Sequence, residues 1–325
     1  MQFRQLGPFN VSSIGLGCMS MSHAYGIPNK AAAVVALNHA LDAGCNFLDT
    51  AALYGFGSNE SLLGEVLRGR RDEFVLASKC GLFKNSEGKR AVDGRPAMIK
   101  KTCEHSLKRL NTDVIDLYYL HRIDPNVPVE ESIGALSELV AEGKIKTIGL
   151  SEVSANTLKR AHTVHPITAV QSEYSLWTRN PEGAVLDTCK QLGVAFVAFS
   201  PLARGFLSAK VRDMSLLEET DLRQSMPRFL GKNFIANLQW LDEFCTIASA
   251  NNCSPAQLAL AWLLHKDEII IPIPGTQHAE HLTENMAATN IALTNADMQR
   301  LDQLINPTTV QGQRYNAVTL ATMET

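Results

Sequence analysis

About eight short apolar runs recur along this 325-residue chain, and most are followed by a loop and then a segment whose apolar residues return every three or four positions. The runs are Ile14–Gly17, Phe47–Leu48, Phe74–Ala77, Val114–Leu120, Ile145–Leu150, Thr168–Val170, Val194–Phe199 and Ile269–Ile273. Most are continuous rather than alternating, the pattern of parallel strands buried on both faces. Helical stripes lie between them: Val34, Leu37, Leu41; Leu62, Leu63, Val66; Ile99, Cys103, Leu107, Leu110; and Ile133, Leu136, Val140. Asn29 and Ser58 are expected to cap the first two helices, and Gly44 and Gly143 sit where helices end. Eight strands with crossover helices close a (β/α)8 barrel. The rival is an open doubly wound sheet, but Gly15-Leu16-Gly17-Cys18-Met19-Ser20 lacks the Gly-x-Gly-x-x-Gly fingerprint and no helix follows it directly. The barrel is therefore favoured, preceded by a hairpin through Phe3–Leu6 and Val11–Ile14.

No Pro- or Ser-rich linker divides the chain, so residues 1–325 are expected to form one barrel domain. Two stretches break the rhythm. Ala203–Lys232 is long, charged and punctuated by Gly and Pro, which suits a lid or binding loop, and the tail Ile305–Thr325 either frays or covers the barrel mouth. A hydrophobic fraction of 45% is ample for a buried core, while a net charge of −3 gives no footprint for nucleic acid or a membrane surface. A small-molecule partner is expected. The start, Met1–Gly7, has no apolar core of a signal peptide, and seven cysteines are scattered without a Cys-x-x-Cys pair, so buried thiols in the cytoplasm are expected.

Asp49, Tyr54, Lys79 and His121 each stand just past one of the apolar runs. Strand ends converge on one face of a barrel, so an acid, a phenol, an amine and an imidazole far apart in sequence share a site there. Lys79 starts inside the barrel and needs an anion, for which Asp49 on the preceding strand is within reach if the strands pair in register. An ammonium beside Tyr54 is expected to lower the phenol's pKa and ease proton donation, with His121 orienting a carbonyl oxygen. Taken singly, each residue has an ordinary structural role as cap, packing group or snorkelling cation; the set of four is what points to chemistry. Met21, Tyr25, Phe83 and Trp177 are candidates for a substrate pocket, with ordinary packing as the alternative. The pairs His162/His165 and His278/His281 have helical spacing but no third ligand, so no metal is expected.

Asp49-Thr50-Ala51-x-x-Tyr54-Gly55, Lys79 and His121 resemble the Asp, Tyr, Lys, His tetrad of the aldo-keto reductases. The resemblance continues through Gly149-Leu150-Ser151, Gln171–Ser175, Ser200–Gly205, Ile273–Thr276 and Glu284-Asn285, and is nearest to the branch of auxin-induced-type, perakine-type and pyridoxal reductases. It implies NADPH extended across the barrel mouth, Tyr54 as general acid, Lys79 and Asp49 as its supports, and His121 as the carbonyl-positioning group. Ser151 and Gln171 would hold the carboxamide, and Phe199 would lie under the ring. Ser200, Pro201, Leu202, Arg204, Gly205 and Leu207 would run along the pyrophosphate. Thr276, Gln277, His281, Glu284 and Asn285 would lie at the adenosine end, with Met19, Glu152 and Gly275 also at the cofactor. Gln277 and His281 stand where many members carry Arg, which keeps NADH open beside NADPH. The implied function is reduction of aldehydes or ketones; a nicotinamide-binding sensor with little turnover is the alternative, and a metal-dependent hydrolase has only His121 and Asp49 in its favour.

Overall fold

The computed structural model describes residues 2–85, 88 and 90–324. A hairpin, β1 (Phe3–Leu6) and β2 (Phe9–Ser12), precedes the first barrel strand β3 (Leu16–Gly17). The next are β4 (Phe47–Asp49) and β5 (Val75–Cys80), then a second hairpin β6 (Leu82–Lys84) and β7 (Arg90–Val92). Barrel strands β8 (Ile115–Leu120), β9 (Ile145–Ser151), β10 (Ile167–Glu173), β11 (Ala195–Phe199) and β12 (Ile270–Ile273) complete the sheet. All eight are parallel in the order β3-β4-β5-β8-β9-β10-β11-β12. The barrel closes where Gly15 N and Gly17 N donate to Pro272 O and Pro274 O, and Gly17 bridges Gly275. The crossover helices are α1 (Lys30–Asp42), α2 (Ser58–Val66), α3 (Pro96–Leu110), α4 (Val129–Ala141), α5 (Ala155–Val164) and α6 (Ala184–Leu192). After β11 come α7 (Gly231–Leu238), α8 (Leu241–Ala250) and α9 (Pro255–Lys266), and after β12 come α10 (Ala279–Ala287), α11 (Asn295–Leu304) and α12 (Ala317–Leu320).

Side chains alternate across each strand, and the two faces have different partners. Phe47, Ala77, Leu117, Tyr119, Ala169, Ala195, Val197, Ile271 and Ile273 point inward and form a closed apolar cluster with Leu6 and Val11 of the first hairpin, which plugs the bottom. Their neighbours Leu48, Leu76, Tyr118, Leu120, Ile148, Leu150, Val170, Phe196 and Ile270 point outward into the helix layer. Burial on both faces is why these strands read as continuous apolar runs. Glu60, fully buried in α2, accepts from Ser78 Oγ at 2.5 Å and pairs with Arg109 at 2.6 Å, tying α2 to β5 and α3.

Asn29 caps α1 by accepting from Ala32 N, and Gly44 (φ 84°) and Gly143 (φ 73°) follow the ends of α1 and α4 as the sequence predicts. Ser58 does not cap α2: it is the first helical residue, behind Gly57 at φ 96°, because the preceding loop enters through a left-handed turn that places no side-chain oxygen over the first N–H groups. The β6–β7 hairpin has no counterpart among the sequence expectations, since its strands are too short and polar to show a period. Ala203–Lys232 is a chain of 3-10 turns (Ala203–Ser208, Met214–Leu216, Leu222–Ser225, Pro227–Phe229) leading into α7. Among the described residues no helix is long and apolar enough to cross a membrane.

Gly149 on β9 faces the barrel interior, where a Cβ would lie 2.3 Å from the fully buried ring of Tyr119. Neither the ring nor the strand has room to retreat. Gly149→Ala is expected to lower stability by about 1–3 kcal/mol through overpacking. An unchanged urea midpoint would show that the interior is looser than this contact requires.

Candidate active site

The inward-facing series changes from apolar to ionisable at the C-terminal ends of the strands. Asp49 follows Phe47 on β4, Lys79 follows Ala77 on β5, and His121 follows Tyr119 just beyond β8. Asp49 pairs with Ala77 in register, so Lys79 lies two residues further along on the same face. Its ammonium turns back to donate to Asp49 Oδ1 at 2.5 Å, to Thr50 O at 2.7 Å and to Tyr54 Oη at 3.4 Å, which uses all three of its protons. Asp49 Oδ2 in turn accepts from Gln171 Nε2 of β10 at 2.7 Å. The pair is sealed from solvent, with side chains 0% and 2% exposed.

Burial opposes the charge on Lys79, but Asp49 and Tyr54 outweigh it and hold the ammonium above its usual value. Burial pushes the Asp49 carboxyl up, resisted by Lys79 and Gln171. Burial also raises the Tyr54 phenol, with Lys79 pulling the other way. The sequence expectation of a phenol more acidic than usual is thus corrected: loss of water around the phenolate exceeds the gain from one ammonium, so Tyr54 rests fully protonated.

Tyr54 is carried by the β4–α2 loop. Asn59 fixes that loop by donating to Cys18 O at 2.8 Å and accepting from Thr50 Oγ1 at 2.6 Å. Gly55 and Phe56, both at φ 53°, reverse the chain immediately after Tyr54. The phenol ring stands edge-on to His121, centroids 6.0 Å apart, and tilted against His23 at 5.7 Å. Burial, then the fields of Arg122, Lys79 and Arg90, hold the His121 imidazole well below its usual basicity. Its Nδ1 is buried without a hydrogen-bond partner among the described residues.

These groups open on a cavity of about 470 Å³ that follows the rim from the β4 and β8 ends to the β11 and β12 ends. Asp49, Tyr54, His121, Met19, Tyr25, Gln171, Phe199, Ser200, Pro201, Leu202, Arg204, Gly205, Gly275, Thr276, Gln277, His281, Glu284 and Asn285 all line it. Lys79 lies beneath the wall and touches both Asp49 and Tyr54.

Several expected residues are not brought to the wall. Ser151 is 1% exposed and accepts from Arg122 Nη1 at 3.1 Å. Glu152 is clamped by Arg314 at 2.5 Å and accepts from Glu173 N at 2.8 Å. Leu207 is fully buried in the helix layer, as is Met21 at 3% exposure. Trp177 stacks on Phe206 at 4.9 Å, and Phe83 pairs with Ala91 in the β6–β7 hairpin. Leu207, Met21 and Trp177 are drawn into the helix layer and Phe83 into a hairpin, placements that no local pattern reveals.

The cavity also recruits residues that the sequence did not single out, among them His23, Arg90, Arg122, Lys210, Arg223 and Tyr315. Arg204 pairs with Glu173 at 2.5 Å and donates to Tyr315 Oη of the tail at 2.5 Å, so the tail covers the mouth instead of fraying. Adjacency to His121 was the only local sign for Arg122; the others come from loops. Lys210 Nζ approaches His281 Nε2 at 3.1 Å, while among the described residues no group of three or more His, Cys, Asp or Glu is placed to hold a metal.

A barrel whose rim carries a buried lysine–aspartate pair under a phenol, beside a long cavity, has the build of a nicotinamide-dependent oxidoreductase. Residues 13–306 match the Aldo/keto reductase family, and the chain belongs to that family of NAD(P)H-dependent enzymes. Similar solved structures include a glycerol dehydrogenase from Gluconobacter oxydans, 28% identical with a TM-score of 0.86 over 93% of this chain and 94% of that one. An aldo/keto reductase from Klebsiella pneumoniae, solved with NADP and acetate, is 29% identical with a TM-score of 0.73 over 94% and 95%. The holo form of an aldo-keto reductase from Bacillus halodurans is 29% identical with a TM-score of 0.75 over 98% and 99%.

The residues present fit a dinucleotide. Ser200 (φ 50°), Ala203 (φ 50°), Arg204 (φ 60°), Gly205 (φ 88°) and Ala209 (φ 60°) wind the β11 loop through left-handed conformations, the backbone form that turns successive N–H groups toward an anion. Lys210 and Thr276 supply a cation and a hydroxyl at the far end.

The depressed basicity of His121 gives a direct test. Its ¹⁵N chemical shifts are expected to remain those of a neutral ring well below the pH near 6.5 at which a free imidazole titrates. Below about pH 6.5 the unfolded chain binds this proton and the native one does not, so the stability it contributes is present above that value and is lost as pH falls toward the native-state pKa. A His121 titration near 6.5 would contradict this.

Proposed function

We propose that this chain reduces aldehydes or ketones to alcohols with NADPH, with Tyr54 as the general acid. The observation that carries the reading is the 3.4 Å contact from the Lys79 ammonium to Tyr54 Oη while the same ammonium is locked to Asp49. The nicotinamide supplies hydride to the carbonyl carbon when bound. Tyr54 gives its proton to the carbonyl oxygen, and the negative charge left on Oη faces a fixed ammonium. At an effective dielectric of 20, opposite charges 4 Å apart attract by about 4 kcal/mol. That stabilisation arises only as the phenol loses its proton, so it favours the transition state over the resting site. The neutral His121 imidazole offers an N–H to the same oxygen and fixes its direction.

Along the cavity, Gln171 uses its Nε2 on Asp49 and keeps its amide oxygen for the carboxamide. Ser151 joins it through the Arg122 contact, and Phe199 lies under the ring. Met19, Gly275 and the loop from Ser200 to Leu207 follow the pyrophosphate, Leu207 through its backbone alone. Glu152 supports this wall through Arg314. At the adenosine end Thr276, Gln277, His281, Glu284 and Asn285 are joined by Lys210, which stands in for the arginine that Gln277 and His281 lack and favours NADPH over NADH. Residues 1–325 work as one domain, the first hairpin closing the barrel bottom and the tail its mouth. Seven free thiols suit the reducing conditions of the cytoplasm.

Tyr54→Phe is expected to lower kcat for aldehyde reduction by roughly 10²–10⁴-fold, the usual worth of a general acid, with NADPH affinity retained. Undiminished turnover would remove Tyr54 from this role. Lys210→Met is expected to weaken NADPH binding by about tenfold or more, the scale of a lost charge-assisted contact, and NADH binding by far less. Equal losses for both cofactors in fluorescence titrations would withdraw the phosphate contact.

A further inference from the structure

Arg122 follows His121 directly and lines the same cavity, yet it is only 7% exposed. Its Nη1 donates to His121 O at 2.6 Å and to Ser151 Oγ at 3.1 Å, both uncharged acceptors. Among the described residues Nε and Nη2 have no acceptor and Arg122 has no ion-pair partner. Other buried arginines at this end of the barrel differ: Arg204 holds Glu173 at 2.5 Å, Arg223 holds Asp221 at 2.7 Å and Arg314 holds Glu152 at 2.5 Å. Glu152 is the carboxylate whose field reaches Arg122, and it is already engaged by Arg314. Arg90 of β7 lines the same end of the cavity and adds a second positive charge, felt at both His121 and His23.

A buried guanidinium without an anion is costly, and its planar fork matches a carboxylate with two parallel N–H bonds. We propose that Arg122 receives a carboxylate carried by the substrate, so that the preferred substrates are aldehydes or ketones with a carboxylate a few carbons from the carbonyl. This rests on the reductase reading above and names the substrate class of that same site. The placement suits it. Arg122 is one residue beyond His121, whose ring is 6.0 Å from that of Tyr54, so a carboxylate on Arg122 leaves a carbonyl a short chain away near the proton donor. Arg90, exposed at the edge, draws the anion in. A neutral carbonyl of the same length leaves the guanidinium unpaired, and a site built for a polar group discriminates strongly against a ligand lacking it.

The test compares 4-oxobutanoate with butanal, which share a chain length and differ in the carboxylate, with NADPH saturating. The wild-type enzyme is expected to favour 4-oxobutanoate in kcat/KM by about 10²-fold or more. Arg122→Met should abolish that preference mainly through KM, lowering kcat/KM for 4-oxobutanoate by about 10²-fold more than that for butanal. Arg122→Lys should restore part of it. Equal use of both aldehydes by the wild-type enzyme overturns the proposal and leaves the reductase reading standing. A parallel loss for both aldehydes in Arg122→Met overturns it in favour of a cofactor-holding role. A stronger preference for glyceraldehyde 3-phosphate than for 4-oxobutanoate overturns the carboxylate assignment, and no turnover of any carbonyl sinks both readings.

Discussion

A lysine ammonium with no exposure to solvent must be compensated completely, and Lys79 organises the barrel mouth through that requirement. Its three protons go to the Asp49 carboxylate, the Thr50 carbonyl and the Tyr54 hydroxyl. Gln171 reaches from β10 to the second oxygen of Asp49. One buried charge therefore binds β4, β5, β10 and the β4–α2 loop into a single arrangement. Removing either partner would strand the other in a low-dielectric site, at a cost of about 3–5 kcal/mol. The same desolvation that makes the pair costly keeps the Tyr54 phenol protonated in the resting site.

Below this layer the barrel is dry and closely packed, so the polar groups above it have a rigid floor. Gly149 gives up its side chain to admit the Tyr119 ring, and the first hairpin fills the opposite end. The upper wall is assembled differently, from loops held by buried ion pairs. Arg204 joins the β11 loop to Glu173 and to Tyr315 of the tail, and Arg314 joins the tail to Glu152. Glu152 itself sits at φ 56°, an uncommon conformation for a non-glycine residue, held by its bonds to Arg314 and Glu173 N. The floor sets where Lys79 and Tyr54 stand, while the loops and tail set the shape of the space in front of them.

Within that space the positive charges are unevenly matched. Arg204, Arg223 and Arg314 have their carboxylates, so their charges are largely cancelled and their function is to hold loops. Arg122 keeps its charge for the cavity. The charges of Arg122, Lys79 and Arg90 add to burial in keeping the His121 ring uncharged.

The sequence by itself determined the elements and their order, because strand and helix periods are local and a run buried on both faces looks the same wherever the rest of the chain lies. It also determined that Asp49, Lys79 and His121 share the rim, since parallel strands of a barrel all end on one face and inward parity follows from the position of each residue in its run, whereas Tyr54 reaches it on the β4–α2 loop. Only the tertiary structure decided the rest of the site. Met21 and Trp177 proved to be packing residues buried in the helix layer, and Arg122, Lys210 and Tyr315 entered the cavity from loops with no period to read. The resting state of Tyr54 was likewise beyond the sequence, for its sign depends on how desolvation weighs against one ammonium at 3.4 Å. Such a balance is set by distances and burial among residues remote along the chain, and those exist only once the barrel has closed.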